Sequence, residues 1–126
     1  MAGGLGVCGS RPSSKEKESM KRGTICWVNL EDSSPPEFGK VRPGLIVSNS
    51  EQNEHLPTVV ILPLSTQPPN IWPLRLEIPL PTGKKSFVVV PGIRQVAKSR
   101  LEGSLGLAAS TIMERISEAI RLYLDD

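Results

Sequence analysis

The chain has 126 residues, of which 38% are hydrophobic and 22% charged, and its net charge is +2 at neutral pH. This length fits a single domain, and no apolar run approaches the roughly 18 residues that a membrane-spanning helix needs. Twelve prolines and 11 glycines exclude a helical bundle or a coiled coil, and the small net charge is unlike that of a protein held on duplex DNA by electrostatics. The composition therefore predicts a small, soluble, mainly β domain.

The first part of the chain differs in composition from the rest. We predict that residues 1–20 are a disordered N-terminal extension and that residues 21–126 form the folded domain. The extension lacks the continuous apolar segment of a secretory signal. Cys8 and Cys26 are too few for a zinc site or a disulfide framework. Two free thiols suit a reducing compartment, so we expect a cytoplasmic protein.

Segments rich in β-branched residues, separated by turn residues, predict seven short strands. The segment 57–64 is almost entirely apolar and is therefore predicted to be the central strand. Pro73 makes the segment 72–78 an edge strand, because proline has no backbone N–H to donate. The polar segment 49–56 is predicted to be a turn, and 31–40 a long loop. The other predicted strands are 24–30, 44–48, 86–90, 93–96 and 104–108.

One amphipathic helix is predicted at the end of the chain. Thr111 and Glu114 have the spacing of a capping box. The apolar residues that follow fall on one helical face, namely Ile112, Ile116, Ala119, Ile120, Tyr123 and Leu124. Strands and helix together predict a small twisted barrel or curled sheet with the helix over one opening.

Residues that could carry chemistry are few. The single histidine, His55, lies in a polar segment, and neither a phosphate-binding glycine loop nor a nucleophile elbow is present. Arg42 begins one predicted strand, and Ser65, Thr66 and Gln67 follow the next. If those strands are antiparallel neighbours, a guanidinium and one or two hydroxyls share one rim, a set that suits a phosphate. A surface ion pair is the alternative role for Arg42.

Four motifs in order resemble those of the MazF/PemK toxins. The family's opening motif is "RGDIWWVDL…E…G…RPxxVxSN". This chain has a similar opening, with KRGTICWVNL at 21–30, then the spacing Glu37…Gly39…Arg42-Pro43, and then GLIVSN at 44–49. The run TVVILPLSTQ at 58–67 is similar to "VxVxPxTTQ", and IRQVAKSRL at 93–101 to "xRTIDKxRL". The resemblance covers residues 21–124 and ends on a terminal helix.

The resemblance implies a fold and an assembly. The family is similar in fold to CcdB, an SH3-like small β-barrel with a C-terminal helix that works as a homodimer. It implies a toxin of a type II toxin–antitoxin system that is blocked by a cognate, MazE-like antitoxin. Any autoregulatory DNA binding is expected only through that antitoxin, and no membrane is involved.

The resemblance also implies an activity, the sequence-specific cleavage of single-stranded RNA or mRNA to 2′,3′-cyclic phosphate and 5′-hydroxyl ends. No metal and no cofactor is expected. Arg42 falls on the family's catalytic arginine, and Ser65 falls on its threonine. Glu37 either orients Arg42, the role we favour, or receives the 2′-hydroxyl proton. The residues expected to bind RNA are Lys40, Asn49, Thr66, Gln67 and Arg94.

One departure from the family pattern leaves two alternatives open. Pro91-Gly92 stands where many members have an acidic residue followed by glutamine, so the substrate contacts made there are in question. The alternatives are a catalytically weakened relative that is kept as a binding module, and a non-catalytic gyrase inhibitor like CcdB. Arg42 together with Ser65 favours RNA cleavage, since a gyrase inhibitor has no need of a hydroxyl beside that arginine.

Overall fold

The computed structural model of the chain describes residues 20–30, 41–67 and 69–126. The predicted N-terminal extension therefore lies outside the described residues, except for Met20. The predicted loop 31–40, with Glu37 and Lys40, also lies outside them. At Met20 the backbone carbonyl already accepts a hydrogen bond of 2.6 Å from Asn53 Nδ2.

Seven strands and two α-helices follow one another along the described residues. The strands are β1 (Thr24–Asn29), β2 (Val41–Ile46), β3 (Thr58–Ser65), β4 (Arg75–Pro79), β5 (Lys85–Val89), β6 (Arg94–Ala97) and β7 (Leu101–Leu107). The helices are α1 (Ser50–His55) and α2 (Ser110–Leu124), and short 3-10 turns cover Val90–Gly92 and Lys98–Arg100. The mainly β fold with a C-terminal helix is therefore confirmed.

The strands form one antiparallel sheet in which β3 has the most neighbours. The hydrogen-bonded order is β4-β5-β3-β2-β1-β7, and β6 also pairs with β3. β2 lies along one edge of β3, and the turn Val90–Gly92 lets β5 and β6 follow each other along the opposite edge. The central position predicted for this strand is confirmed. Because β4 and β7 end the order among the described residues, the barrel is a curled sheet and not a ring closed by strand pairing.

Core clusters lie on both faces of the sheet, because successive side chains along each strand point to opposite faces. The larger core cluster includes Leu45, Leu62 and Leu64 and receives Ile116 and Ala119 from α2. The smaller cluster lies on the opposite face and contains Cys26, Val28, Leu30, Ile46, Val59, Ile61 and Val96. The middle of the predicted helix face thus packs against the larger core cluster. Tyr123 and Leu124, in the last turn of the helix, remain 40% and 64% exposed.

The segment predicted to be a turn at 49–56 is instead the helix α1. Asn49 caps this helix, because its Oδ1 accepts from the backbone N–H groups of Glu51 (2.9 Å) and Gln52 (3.1 Å). Asn53 is buried and satisfied on both sides of its amide, accepting from Ser48 Oγ and donating to backbone carbonyls. The hydrogen bonds of the buried Asn53 therefore hold this helix in place, and a search for apolar periodicity does not detect a polar residue of this kind.

Two further boundaries differ from the sequence-based expectation. α2 begins at Ser110 with Ala109 as its N-cap, which makes no side-chain capping bond, so the predicted capping box at Thr111 is wrong. The edge position of the fourth strand is confirmed, but the strand begins only at Arg75. The preceding Trp72 packs against α2, with the Arg115 guanidinium 4.7 Å from the centre of its ring. Neither helix of the described residues is both long and apolar enough to cross a membrane.

Cys26 provides a test of the smaller core cluster. Its side chain is fully buried, and burial raises the pKa of its thiol to about 12. Because the thiolate is the reactive form, we expect the native protein in a Cys8→Ser background to react with a thiol reagent at pH 8 at least about 100-fold more slowly than the unfolded chain. Stopped-flow labelling in buffer and in guanidinium chloride measures both rates. Equal rates would contradict the buried position.

Candidate active site

Arg42 and Ser65 stand at the same end of two neighbouring strands. β2 and β3 run antiparallel, with Gly44 paired to Pro63 and Leu45 to Leu62. Extending this register by two residues along each strand sets Arg42 opposite Ser65, the last residue of β3. The antiparallel pairing on which the shared rim depends is therefore present.

The two residues also point to the same face of the sheet. Side chains two or four residues apart on a strand share a face. Arg42 therefore points to the same side as Ile46, and Ser65 to the same side as Ile61, and both isoleucines pack in the smaller core cluster. Arg42 and Ser65 therefore lie on the same face of the sheet as the smaller core cluster, beyond the apolar residues of that cluster.

Two more arginines lie on this face. Arg94 on β6 pairs with Ile61, so its side chain shares the isoleucine's face. Arg75 on β4 precedes Leu76, which packs in the larger cluster on the opposite face, so Arg75 points to the face of Ser65. Arg42, Arg75 and Arg94 thus give this face a positive potential that favours a polyanion.

The Ser65 hydroxyl is held in a defined orientation. Its Oγ accepts a hydrogen bond of 3.0 Å from the backbone N–H of Gln67. This bond closes a tight turn over residues 65–67 at the end of β3. The backbone carbonyl of Ser65 accepts from the hydroxyl of the buried Ser86 at 3.0 Å. A serine hydroxyl has one proton to donate in addition to its acceptor sites, and no acceptor for this proton lies among the described residues, so it can be donated to a ligand oxygen.

Sequence reasoning did not single out Arg75 or Phe87 as site residues. Phe87 on β5 pairs directly with Ser65, so its half-buried ring lies beside the hydroxyl on the same face. Arg75 Nη2 donates a hydrogen bond of 2.6 Å to the backbone carbonyl of Gln67. Alternation in the segment 72–78 places Arg75 with Glu77 on the polar face of its strand, but the contact with Gln67 crosses a loop and has no sequence signal.

Pro91 and Gly92 lie in the 3-10 turn between β5 and β6. A Cβ atom at residue 92 would lie 2.6 Å from Cγ of Pro63 and 3.0 Å from its Cδ. Pro63 is two residues before Ser65 and points to the same face. The glycine that departs from the family pattern is therefore required by close packing on the strand that presents Ser65.

The other residues expected to bind RNA are distributed unevenly. Thr66 and Gln67 are exposed beside Ser65, while Arg94 is about 13 Å further back along β3. Asn49 lies beyond the opposite end of β2 from Arg42, about 20 Å away, and its Oδ1 caps α1. Asn49 is thus placed apart from the rim of Arg42 and Ser65.

Two clefts of about 370 and 350 Å³ lie elsewhere, and Arg22 and Ser117 line both of them. The Arg22 guanidinium donates to the Val47 carbonyl and to Ser117 Oγ, so it ties β2 to α2 beyond the end of β2 that is remote from Arg42. These clefts are separate from the candidate site. Among residues 20–30, 41–67 and 69–126, no group of three or more potential metal ligands lies together.

The arrangement can bind and polarise a phosphodiester. A guanidinium is a planar cation that can donate two parallel hydrogen bonds to a phosphate. The Ser65 hydroxyl, whose oxygen is fixed by the Gln67 N–H, can donate a third hydrogen bond to the same phosphate. Two donors of this kind stabilise charge that develops on phosphoryl oxygens.

Comparisons with known proteins identify the family of the chain. Residues 21–124 match the family of PemK-like, MazF-like toxins of type II toxin–antitoxin systems. Over 109 residues the chain is 26% identical to Endoribonuclease EndoA of Bacillus subtilis (strain 168), a match that covers 83% of this chain and 94% of EndoA.

Two solved structures from mycobacterial species share the fold. An endoribonuclease superposes with a TM-score of 0.69 at 26% identity, over 82% of this chain and 89% of that chain. An endoribonuclease in complex with its cognate antitoxin superposes with a TM-score of 0.66 at 25% identity, over 82% and 91%. The chain therefore belongs to the PemK-like, MazF-like toxin family of type II toxin–antitoxin systems, as its motifs indicated.

A substitution at Gly92 tests the packing beside the site. We expect Gly92→Ala to lower the free energy of unfolding by about 1–3 kcal/mol, because the new methyl group collides with the Pro63 ring and a proline ring has little freedom to move. Urea denaturation measures the change. In a Pro63→Ala background the same substitution should cost much less. An equal cost in both backgrounds would show that another contact is responsible.

Proposed function

We propose that this chain is the endoribonuclease toxin of a type II toxin–antitoxin system and that it cleaves single-stranded RNA or mRNA at a short sequence without a metal ion. The observation that carries the proposal is the antiparallel pairing of β2 with β3, because its register, extended by two residues beyond Gly44 and Pro63, would bring Arg42 opposite Ser65 on one face. Membership of the toxin family and the names of its relatives support RNA cleavage over gyrase inhibition.

The reaction is a transfer within the RNA chain. The 2′-oxygen of the nucleotide on the 5′ side forms a bond to the adjacent phosphorus, and the bond from phosphorus to the 5′-oxygen of the next nucleotide breaks. The 2′-hydroxyl gives its proton to solvent water, and the leaving 5′-oxygen takes a proton from solvent. The products are a 2′,3′-cyclic phosphate and a 5′-hydroxyl, and no metal or cofactor takes part in this step.

Arg42 and Ser65 act on the charge that builds up on the phosphoryl oxygens. Arg42 supplies a permanent positive charge and two donors, and Ser65 supplies a third. We therefore assign to Arg42 the role of an electrostatic catalyst, since a guanidinium offers a delocalised positive charge and several directed donors. We assign to Glu37, which lies outside the described residues, the role of orienting Arg42.

The RNA would extend along the positive face. Thr66 and Gln67 flank the scissile phosphate, and Arg94 neutralises a phosphate further along the strand. Lys40 and Asn49 complete the set that we propose for RNA binding. Lys40 lies outside the described residues, and Asn49 would have to bind through its amide nitrogen, since its oxygen is used by the cap.

The proposed partners follow from the family. A solved mycobacterial relative is in complex with its cognate antitoxin. We propose that a MazE-like antitoxin binds this chain and covers the Arg42–Ser65 rim. We also propose a homodimer, binding to operator DNA only through the antitoxin, and a site of action in the cytoplasm, where mRNA is translated.

Replacing the two donors tests the site. We expect Arg42→Ala to lower the single-turnover rate constant for cleavage of a defined RNA by about 10²–10³-fold, and Ser65→Ala to lower it markedly, because each removes a donor aimed at developing negative charge. Both variants should unfold at the wild-type temperature, since Arg42 is exposed and Ser65 only half-buried. Arg121→Ala, which removes an exposed arginine on α2, is the matched control and should retain the full rate.

The chemistry is tested on the substrate. Cleavage should persist in EDTA, and one 2′-deoxy substitution on the 5′ side of the scissile phosphate should abolish it by removing the nucleophile. Sequencing of the new 5′ ends gives the recognition sequence. Cleavage that stops in EDTA and returns with a divalent ion, or a wild-type rate for Arg42→Ala, would refute the proposed mechanism.

A further inference from the structure

We infer that Arg75 is a positioning residue that holds the turn 65–67 so that the Ser65 hydroxyl points its proton at the substrate phosphate. The inference rests on the proposed function, because it assigns to Arg75 an effect that passes through Ser65. Arg75 lies on β4, two strands away from Ser65 in the order of the sheet.

The chain of hydrogen bonds is short and continuous. Arg75 Nη2 donates to the backbone carbonyl of Gln67 at 2.6 Å, and the backbone N–H of Gln67 donates to Ser65 Oγ at 3.0 Å. The guanidinium therefore anchors the same residue whose amide sets the orientation of the hydroxyl. A carbonyl held by a charged donor is fixed more firmly than one that bonds only to solvent.

Backbone pairing fixes Arg75 itself. Its N–H donates to the Ile71 carbonyl at 2.6 Å, and its carbonyl accepts from the Ile71 N–H at 2.9 Å. Arg75 also pairs with Val89 on β5. The hydrogen bonds from Arg75 through Gln67 to Ser65 thus connect two strands that are fixed by backbone pairing, β4 and the end of β3. Arg75 restrains the turn 65–67, which lies between these two strands.

The buried Nε of Arg75 lowers the stability of the fold. Its Nε is buried, and among the described residues it has no hydrogen-bond partner. A buried donor without a partner destabilises a folded protein, and an exposed lysine or glutamine at the edge of the sheet would avoid this cost. The observation fits an arginine that is retained for what its other nitrogen holds.

The alternative roles predict different behaviour. An Arg75 that binds an RNA phosphate directly would contribute to the rate whether or not the Ser65 hydroxyl is present. An Arg75 that only stabilises the hairpin of β4 and β5 would change the unfolding temperature and leave the rate of the folded enzyme unchanged. A positioning residue loses its effect on the rate when the group that it positions is removed.

The experiment is a double-mutant cycle on the single-turnover rate constant, measured with the full chain and a defined RNA. Arg75→Met removes the donors and keeps the side-chain length, and we expect a loss of about tenfold, since a small misplacement of a catalytic group lowers the rate by one to two orders of magnitude. Arg75→Lys, which can still donate to the carbonyl, should recover most of the rate. In a Ser65→Ala background, Arg75→Met should cause almost no further loss.

Hydrogen exchange provides a second, independent readout. The Gln67 amide should exchange faster in Arg75→Met than in the wild type, and the unfolding temperature of each variant shows whether it is folded. Lys84→Ala removes an exposed charge from the turn between β4 and β5 and should change neither the rate nor the exchange.

The outcomes separate this inference from the proposed function. A wild-type rate for Ser65→Ala would refute the role of Ser65 and, with it, the role of Arg75. If Ser65→Ala is impaired but Arg75→Met has the wild-type rate, or if the Arg75→Met loss is as large in the Ser65→Ala background, only the positioning role is overturned. The second of these results would indicate direct contact between Arg75 and the RNA.

Discussion

A shift of one residue in the pairing of β2 with β3 would turn every side chain of one strand to the other face of the sheet. Leu45 would then leave the larger core cluster, and Ile46 the smaller one. Arg42 and Ser65 would point to opposite faces, and no phosphate could contact both. The same hydrophobic burial that stabilises the sheet therefore aligns the two donors, and the fold and the candidate site depend on one register.

Two features make this register specific. Both faces of the β2–β3 pair are buried, so a slip is penalised on each side. Gly44 adds a steric restraint, because a Cβ atom at this position would lie 3.0 Å from a methyl group of Val28 and 3.3 Å from one of Ile61. β2 can approach β1 and β3 this closely only where a glycine faces those two side chains. The restraint lies two residues from Arg42 on the same face.

Much of this arrangement could be predicted from local sequence. The apolar run of β3 and the β-branched residues of β1 and β5 indicated strands, and the order Arg42 then Ser65 along antiparallel neighbours was enough to bring them to one rim. The helix α1 was missed because it is polar and has six residues. Its signal, an asparagine at the N-cap with a glutamine three residues later, was present in Asn49 and Gln52.

What could not be predicted depends on contacts between distant residues. The departure at Pro91-Gly92 puts the substrate contacts there in question, and the sequence does not reveal that Gly92 packs closely against the Pro63 ring. The hydrogen bond from Arg75 to Gln67 spans a loop whose course no pattern specifies. Sequence patterns specify which face a side chain takes, but they do not specify which backbone carbonyl a long side chain reaches.

Ser65 stands where the resemblance to the toxin family predicts a threonine, and the contacts around its hydroxyl act together. Threonine is restricted at χ1 by its methyl group, whereas serine visits its rotamers more freely. In this chain the amide of Gln67 donates to Ser65 Oγ and so favours one rotamer, and Arg75 holds the other side of the same residue. Hydrogen bonds from the backbone and from β4 thus supply a restraint that a methyl group would supply by steric contact. A restraint built from hydrogen bonds depends on the order of the turn 65–67. The orientation of the Ser65 hydroxyl is therefore coupled to this turn, and any ligand that moves the turn also moves the hydroxyl.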